Sequence, residues 1–420
     1  MPMWRLSDDE RRLRDEVREV ALGVRPRVLE VDRSGHYPAD LHDLLGREGL
    51  LDVAVPREYG GRGESEVAFC VAVEELARIS SAVALIACYV KLVNLPLLLA
   101  GSDEQRRRWL PALAAGEVRG SYALTEPGVG SDPAALELRA ERHGDVWVLN
   151  GEKRFIGYAG MADIYVVFAR SGDPGSRGIS AFLVPGDAPG LSAEPLPTMG
   201  MPGWPVGAPR FEDVEVPHVN LLGGEGEGFR LAMRTFDRSR PGVAAQAVGV
   251  GQGAIDLALD YALRRHTFGK PLIDHEGMQF KLAGMEAEIA AARALSLQSA
   301  AAADVGDPAL TKLAAMAKMI ASDAAMRTTT EAVQVLGGNG YLRQFPAERM
   351  MRDAKVLQIY EGTNEIQRLV IARQMLKQAE ARDPVWPESM PGAAGVATGE
   401  SAPSPAEQTD STQEKAGAVA

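Results

Sequence analysis

Hydrophobic positions along the chain follow two different spacings, and the spacing changes twice. Residues 1–120 place apolar side chains at helical intervals, as in "ESEVAFCVAVEELARIS" at 64–80. The first periodic stretch starts after Ser7 and has Glu10 three residues later, which predicts a capping box at a helix start. We therefore expect an N-terminal helical domain over residues 1–120.

Residues 121–225 have a different texture, with short β-branched and aromatic runs. Examples are "VWVLNGEKRFIG" at 146–157, "DIYVVFAR" at 163–170 and "ISAFLVPG" at 179–186. Gly, Pro, Asp and Asn separate these runs at the intervals expected of hairpins. The pattern predicts a middle β domain, either a barrel or a sandwich.

Residues 226–380 return to the helical spacing, in long alanine-rich segments that are apolar around much of their circumference. Such helices need partners on several sides, so we expect a C-terminal four-helix bundle and a subunit interface. Residues 381–420 are rich in Pro, Gly, Ser and acid, which predicts a disordered tail. The predicted fold class is a multidomain α+β chain.

Composition narrows the possible partners. The chain has 420 residues and a net charge of -12, which argues against nucleic acid or an anionic membrane surface as the main partner. The most apolar stretch, at 80–101, is interrupted by Lys91, Asn94 and Pro96, so it predicts a buried helix and its exit. Two cysteines, Cys70 and Cys88, form no disulfide framework and fit a cytoplasmic location.

Two kinds of site find no support in the motifs. "GVGQGA" at 249–254 lies within a helical pattern with no strand before it, which favours close helix packing over dinucleotide binding. The six histidines and two cysteines show no metal-ligand spacing, so no metal is predicted.

One carboxylate stands in an unusual position. Glu361 follows two apolar residues and precedes Gly362, just ahead of a helical pattern, in "IYEGTNEIQR" at 359–368. An acid near a helix start is stabilised by the helix dipole and the free N–H groups there. A carboxylate placed among apolar neighbours can also serve as a general base. The residues alone leave both explanations open.

Five stretches in a fixed order suggest a family. They are "YALTEPGVGSD" (122–132), "NGEKRFIGYAGMAD" (150–163), "RRHTFGKPL" (264–272), "VQVLGGNGY" (333–341) and "RDAKVLQIYEGTNEIQR" (352–368). Each is weak alone, but together they resemble the acyl-CoA dehydrogenase family, and the medium-chain branch is nearest in the C-terminal half. The resemblance extends from about residue 7 to 378 and agrees with the helix–β–helix order.

The resemblance implies a set of site residues. FAD is expected between the β domain and the C-terminal bundle, contacted by Tyr122, Leu124, Thr125, Gly130, Ser131, Phe155, Ile156, Gly157, Arg265, Thr267, His275, Gln334, Gly337, Gly338, Gly362, Thr363 and Glu365. Arg265 and Thr267 are expected to reach the cofactor of a neighbouring subunit, which implies a homotetramer. The expected substrate contacts are Ser131, Asp237, Arg240 and Tyr360, although Asp237 and Arg240 could instead form an ordinary surface ion pair.

Glu361 matches the catalytic base of this family. The resemblance implies that it takes the α-proton of an acyl thioester while the β-hydride moves to FAD, giving a 2-enoyl-CoA. The backbone N–H of the base and a hydroxyl of the cofactor are expected to stabilise the thioester oxygen. Gly362 would let the backbone come close.

The chain departs from the family pattern beside the flavin and in the acyl pocket. Phe155, Ile156 and Gly157 stand where relatives usually have Trp, Ile and Thr, so we expect a lost hydroxyl and a small void that a water could fill. The helix that lines the acyl pocket carries Tyr89 and Lys91, which predicts a short, polar or reshaped pocket.

These observations predict an FAD-dependent acyl-CoA dehydrogenase with electron-transfer flavoprotein as the acceptor. Two close alternatives are an oxidase that uses oxygen and an enzyme whose substrate is held on an acyl carrier protein. A third alternative, from another class, is a non-catalytic flavoprotein. Glu361 and the acidic net charge argue against the third.

Overall fold

The structure is a computed structural model that describes residues 6–381 of the chain. It divides into a main unit that ends at Ala372 and a second unit that begins at Arg373. Apart from Ala381, the predicted tail at 381–420 lies outside the described residues. Every site residue discussed below belongs to the main unit.

Six helices form the N-terminal region: Asp8–Val24 (α1), Val28–Ser34 (α2), Ala39–Arg47 (α3), Glu66–Ile79 (α4), Ser81–Ala100 (α5) and Asp103–Ala115 (α6). The predicted capping box is confirmed, since Ser7 Oγ accepts from the Glu10 N–H at 3.2 Å and Glu10 Oε2 accepts from the Ser7 N–H at 2.7 Å. Helix α5 does not exit at Pro96, because the helix continues past that residue to Ala100.

The middle region is one nine-stranded sheet. Its strands are Gly120–Ala123 (β1), Arg139–His143 (β2), Val146–Glu152 (β3), Ile156–Gly157 (β4), Ile164–Arg170 (β5), Ile179–Pro185 (β6), Leu191–Pro195 (β7), Val206–Pro217 (β8) and Leu221–Leu222 (β9). The strand order is β4-β8-β3-β2-β5-β6-β9, with β1 paired to β5 and β7 paired to β8. Strands β1 and β4 matter most here, because they carry the residues predicted beside the flavin.

The C-terminal region consists of long helices: Gly228–Arg264 (α7), Glu276–Asp304 (α8), Leu310–Leu336 (α9), Pro346–Leu357 (α10) and Asn364–Glu380 (α11). A hairpin of two short strands, His266–Thr267 (β10) and Lys270–Pro271 (β11), joins α7 to α8. The helix–β–helix architecture predicted from the hydrophobic spacing is therefore confirmed.

The glycines of 249–254 pack helices closely, as their helical context predicts. A Cβ on Gly249 or Gly253 would overlap the backbone of α4, and a Cβ on Gly251 would overlap Ile289 of α8. Both α5 and α7 are long and apolar enough to cross a membrane by length and composition. However, 83% and 78% of their most apolar segments are buried inside the protein, as in the core helices of soluble folds.

Candidate active site

Glu361 lies in a tight turn between α10 and α11. Its φ is +52°, in the left-handed region that side chains other than glycine rarely adopt, and Gly362 follows at +91°. The turn is closed by the Asn364 N–H, which donates to the Gln358 carbonyl at 3.1 Å. A non-glycine residue held at positive φ needs strong support from its surroundings, and such residues concentrate at functional sites.

The carboxylate of Glu361 is partly buried and has one direct hydrogen-bond donor. Ser239 Oγ, on α7, donates to Glu361 Oε2 at 2.5 Å. Burial raises the pKa of Glu361 to about 7, while the Ser239 hydrogen bond and the positive charges of Arg240 and Lys318 act against this rise. A carboxylate with a pKa near neutrality is suited to general-base work at physiological pH.

The backbone of the turn is held from two sides. The Glu361 carbonyl accepts from Arg240 Nε at 3.1 Å and from Gln367 Nε2 at 3.2 Å. The Gly362 carbonyl accepts from Gln367 Nε2 at 2.8 Å and from Lys318 Nζ at 2.8 Å. The Glu361 N–H, in contrast, donates to no acceptor within the described residues, so it is free to bind an oxygen of a ligand.

Helix α7 connects this turn to α5. Beyond Ser239 and Arg240, its Gln246 accepts from the Tyr360 hydroxyl at 2.5 Å and donates to the Ser81 carbonyl at 3.0 Å. Cys88 Sγ on α5 lies 3.8 Å from the Gly242 carbonyl of α7. Burial, followed by the charge of Glu361, raises the pKa of the Cys88 thiol. Helix α7 therefore contacts Glu361, the turn that holds Glu361, and part of α5.

Tyr122 of β1 forms the opposite wall. Its ring lies 5.8 Å from that of Phe236 on α7, centroid to centroid. The side chain is buried, and its hydroxyl has no hydrogen-bond partner among the described residues. Burial, followed by the charge of Glu361, raises the pKa of Tyr122 well above its usual value. The phenol is therefore neutral and available as a donor close to the base.

Tyr89 of α5 hydrogen-bonds to both β1 and β4, the two strands predicted beside the flavin. Its hydroxyl donates to the Gly157 carbonyl on β4 at 3.1 Å and accepts from the Tyr122 N–H on β1 at 3.3 Å. Ser121 Oγ also donates to the Gly157 carbonyl, at 2.7 Å. The position of Gly157 is thus set by two hydroxyls from different elements.

The expected void at Gly157 is wrong, because the ring of Tyr89 fills the space. A Cβ on Gly157 would lie 2.7 Å from Tyr89 Cζ, closer than real side chains approach. Lys91, the other unusual residue of this helix, is buried in an ion pair with Glu66 at 2.8 Å and lies 3.7 Å from Asp52. Its ammonium is therefore not a free group of the pocket.

The loop predicted to lie over the flavin is anchored to the strand predicted beside it. Lys153 Nζ donates to the Leu124 carbonyl at 2.9 Å, and the Arg154 N–H donates to the Thr125 carbonyl at 2.8 Å. Phe155 is 64% exposed and, like Glu361, has a positive φ, of 60°. Among the other predicted flavin contacts of these two segments, Ile156 and Gly157 are buried, whereas Gly130 and Ser131 are exposed.

The predicted phosphate and adenosine contacts lie elsewhere, where α7 and α9 end. Thr267 Oγ1 lies 3.2 Å from His275 Nε2 within the hairpin connection, and the exposed guanidinium of Arg265 has no partner among the described residues. Gln334, Gly337 and Gly338 are exposed at the end of α9. None of these six hydrogen-bonds to β1, β4 or the Glu361 turn within the described residues.

The predicted substrate contacts divide between the pocket and the surface. Arg240 is buried, so its 3.2 Å contact with Asp237 is not an ordinary surface ion pair. Asp237 also accepts from Thr311 Oγ1 at 2.6 Å. Tyr360 is partly buried, and Ser131 is exposed.

The residues after the base start the next helix. Thr363 Oγ1 accepts from the Ile366 N–H at 3.4 Å, as a helix cap does, and Glu365 is exposed.

Sequence reasoning missed Ser239, Lys318 and Gln367, which hold the base and its turn. Ser239 lies between two residues that were singled out, in "FDRSRP" at 236–241. Lys318 is a lone lysine in the alanine-rich run "LAAMAKMIAS" at 313–322, and a charge in such a run was a signal that could have been used. Gln367 gave no signal, since an amide on a helix is ordinary.

The residues present fit FAD. An exposed aromatic ring at Phe155, an exposed Gly130 with open space at its Cβ position and a free N–H at Glu361 are groups that suit a flavin. The unpaired guanidinium of Arg265 and the exposed, open backbone of Gly337 and Gly338 suit a pyrophosphate and its nucleoside.

Comparison with known proteins gives a consistent result. Three family models match: acyl-CoA dehydrogenase N-terminal domain at 7–117, middle domain at 121–214 and C-terminal domain at 226–376. Cyclohexane-1-carbonyl-CoA dehydrogenase of Geobacter metallireducens is 41% identical over 380 residues, which is 90% of this chain and 100% of the relative.

Solved structures agree. That of butyryl-CoA dehydrogenase from Megasphaera elsdenii matches with a TM-score of 0.87 at 39% identity, over 89% of this chain and 99% of the other. A chain from a structure described as the electron transferring flavoprotein of Acidaminococcus fermentans matches with a TM-score of 0.87 at 40% identity, over the same shares of the two chains.

The overlap between Gly157 and Tyr89 predicts a coupled pair. We expect Gly157→Thr to lower the free energy of unfolding by about 1–3 kcal/mol, because the new Cβ overlaps the ring. Tyr89→Ala should cost about 3–5 kcal/mol through the cavity it leaves. The double variant should lose at least about 1 kcal/mol less than the sum in urea unfolding, because threonine then refills part of the cavity. Tyr89→Phe keeps the ring, so it should give Gly157→Thr no such relief; additive losses with Tyr89→Ala would refute the coupling.

Proposed function

The chain belongs to the acyl-CoA dehydrogenase family, and from that premise we propose how its own residues divide the reaction. The protein is an FAD-dependent oxidoreductase that dehydrogenates the CH–CH bond next to an acyl-CoA thioester. The observation that carries the proposed division is the partly buried carboxylate of Glu361, set in a left-handed turn with a free N–H beside it.

Glu361 is the general base of this proposal. Its carboxylate takes the α-proton of the acyl group, and FAD, when bound, supplies the acceptor for the hydride from the β-carbon. A C=C bond forms between the two carbons, so one proton and one hydride leave for each turnover. Ser239 orients the carboxylate through its 2.5 Å hydrogen bond.

The free N–H of Glu361 is proposed to bind the thioester oxygen, where negative charge develops as the α-proton leaves. Donors of this kind work best when they are fixed before the reaction. Arg240 and Gln367 fix the carbonyl of Glu361, and Lys318 and Gln367 fix that of Gly362. The turn therefore needs little rearrangement during the chemical step.

FAD is proposed to be held by two groups of residues from different subunits. Tyr122 lies near Glu361, and residues 122–131 and 155–157 would take the flavin. Arg265 and Thr267 lie apart from them and would take the pyrophosphate of a neighbour's cofactor. Phe268 is 98% exposed and Tyr341 is 85% exposed, and both are proposed to be covered by another copy in the homotetramer that the family resemblance implies.

The substrate is proposed to be a short, uncharged acyl group on CoA. The charge of Glu361 raises the pKa of both Cys88 and Tyr122, and Tyr89 follows Cys88 on α5 and accepts from the Tyr122 N–H. A tyrosine ring at this place leaves less depth for an acyl chain. The cations beside the base, Arg240 and Lys318, are both bonded to backbone carbonyls, so neither is available to a terminal carboxylate.

Electron-transfer flavoprotein is proposed as the electron acceptor, supported by the match to the Acidaminococcus fermentans structure. A substrate on an acyl carrier protein is not favoured, because two of the relatives compared above are named for CoA thioesters, and direct turnover with oxygen is not favoured, because both are named dehydrogenases. The cytoplasmic location proposed for the protein rests on its two free, buried cysteines.

Removal of the base tests the proposal directly. We expect Glu361→Gln to keep FAD but to slow anaerobic flavin bleaching by an acyl-CoA by on the order of 10² to 10⁴-fold. In the unchanged protein the rate should rise with pH through about 7, because burial raises the pKa of Glu361 to about 7 and only the carboxylate accepts a proton. Glu104→Gln, at an exposed acid of α6, is the matched control. Bleaching of the Glu361→Gln protein at the unchanged rate would show that another group is the base.

A panel of straight-chain acyl-CoAs tests the proposed pocket. We expect faster flavin bleaching with butyryl-CoA than with octanoyl-CoA, by about tenfold or more, since lost burial of a few methylenes is worth at least that ratio. Tyr89→Ala should move the preference toward the longer chain, whereas Tyr89→Phe should retain it. Equal rates with both thioesters in the unchanged protein would contradict the short pocket.

Arg265→Ala should weaken FAD retention by about 1.5–3 kcal/mol, since a charge-assisted contact with phosphate is lost. The measurement is the flavin-to-protein ratio after dilution, with subunit assembly followed by size-exclusion chromatography. Arg264→Ala is the control, because Arg264 is also exposed but lies 3.9 Å from Asp260. A monomeric protein with full FAD occupancy would contradict the proposal that the neighbour's residues are needed.

A further inference from the structure

Lys318 is a buried lysine without a carboxylate partner. It lies on α9, and its side chain is fully withdrawn from solvent. Its Nζ donates to the Gly362 carbonyl at 2.8 Å and to Asn364 Oδ1 at 3.0 Å, and within the described residues it forms no ion pair. A buried ammonium costs several kcal/mol unless it is compensated, and two neutral oxygens could have been bound by a neutral side chain.

The network around Lys318 fastens the base turn to α9. Asn364, which accepts from Lys318, donates through Nδ2 to Asp323 Oδ1 at 2.7 Å and to Ser322 Oγ at 2.9 Å. Gln358, at the other end of the turn, donates to Asp323 Oδ1 at 2.6 Å. Lys318 therefore holds the middle of the turn, while Asp323 holds both of its ends.

The charges that face Lys318 come from four elements. Burial lowers the pKa of Lys318 to about 7, and the charge of Arg240 on α7 acts in the same direction. Glu361 from the turn, Asp323 from α9 itself and Glu365 from α11 raise it. Among these, Glu361 has the largest effect after burial, so the ammonium and the base are electrostatically paired across one peptide unit.

Only a small set of charged and polar groups of the described residues faces Glu361. Arg240 and Ser239 approach it from α7, and Lys318 approaches it from α9. Tyr122 on β1, Tyr360 and Cys88 on α5 are neutral, and the charge of Glu361 raises the pKa of each. Arg240 also has Asp237 at 3.2 Å, which offsets part of its charge. Lys318 is thus a cation near the base that forms no direct ion pair within the described residues.

We propose that Lys318 is a positioning residue for the reaction, which holds the Glu361–Gly362 turn in place and, while protonated, presents a positive charge to the carboxylate of the base. The proposal rests on the proposed function of Glu361. The charge of Lys318 acts together with that of Arg240 against the proton uptake that burial favours, so the carboxylate keeps a basicity matched to neutral pH.

The sign of the expected effect follows from this arrangement. A positive charge favours the ionised form of a neighbouring acid, so loss of the charge raises the pKa of that acid. The rise in reduction rate with pH should therefore move to higher pH when Lys318 is replaced. A merely structural role would lower the rate at every pH and leave the midpoint where it was.

Two substitutions separate the charge from the hydrogen bonds. Lys318→Gln removes the charge and keeps a donor, whereas Lys318→Met removes both. Anaerobic flavin reduction by butyryl-CoA, measured across the pH range, should shift its midpoint upward by at least about half a pH unit in both variants, which is about a threefold loss of rate on the acid side. At high pH the glutamine variant should recover the unchanged rate, and the methionine variant should not.

A second readout does not depend on turnover. A 3-thia-acyl-CoA can lose its α-proton but cannot be dehydrogenated, so the long-wavelength charge-transfer absorbance of its complex with the flavoprotein reports proton transfer at equilibrium. Its pH midpoint should shift in both variants relative to the unchanged protein. Lys377→Met is the matched control, because Lys377 is an exposed lysine near the end of α11 and its charge is screened by water.

Each outcome decides the matter. An upward shift in both variants, absent from Lys377→Met, supports the proposal. A lower rate with an unchanged midpoint, or loss of FAD from both variants, would assign Lys318 to folding alone and overturn it. If only the methionine variant loses FAD, the pH midpoint of the glutamine variant decides whether the proposal holds. Normal bleaching by Glu361→Gln would instead overturn the proposed function, so the two failures are distinguishable.

Discussion

A carboxylate withdrawn from bulk water is the constraint on which the rest of this structure depends. Burial raises the pKa of Glu361 to about 7, and the turn that carries it is held at a φ of +52°, which most side chains avoid. Burial of a carboxylate and a positive φ at a non-glycine residue each cost free energy unless the surroundings compensate for them. Ser239 and Arg240 on α7 and Lys318 on α9 supply the compensating hydrogen bonds and charge. Helices α7 and α9 therefore both stabilise this turn.

Helix α7 combines several of these tasks along its 37 residues. Near its middle, Ser239, Arg240 and Gln246 bind the base, its backbone and Tyr360. Farther along, glycines let it approach α4 and α8 closely. At its end, the chain turns into the hairpin of Arg265 and Thr267. Because one rigid helix spans the base and this hairpin, the geometry of the chemical step is linked to the surface proposed to meet another subunit.

The architecture and the candidate base, Glu361, could be predicted from the sequence, because both predictions depend on local patterns. Spacing of apolar residues distinguishes helix from strand, and "IYEGTNEIQR" is a contiguous motif. The packing of Tyr89 on Gly157 could not be predicted, since the two residues are 68 positions apart and their contact depends on how α5 docks on the sheet. Lys318 and Gly362 are 44 positions apart, and nothing in an alanine-rich helix indicates which turn its lysine will meet.

The contact between Tyr89 and Gly157 also bears on how this sequence arose. A side chain at position 157 and the tyrosine ring at position 89 claim the same volume, so a larger residue at 157 is costly while the tyrosine remains. The two positions are therefore expected to change together in evolution, and a relative with a larger residue at 157 is expected to have a smaller one at 89.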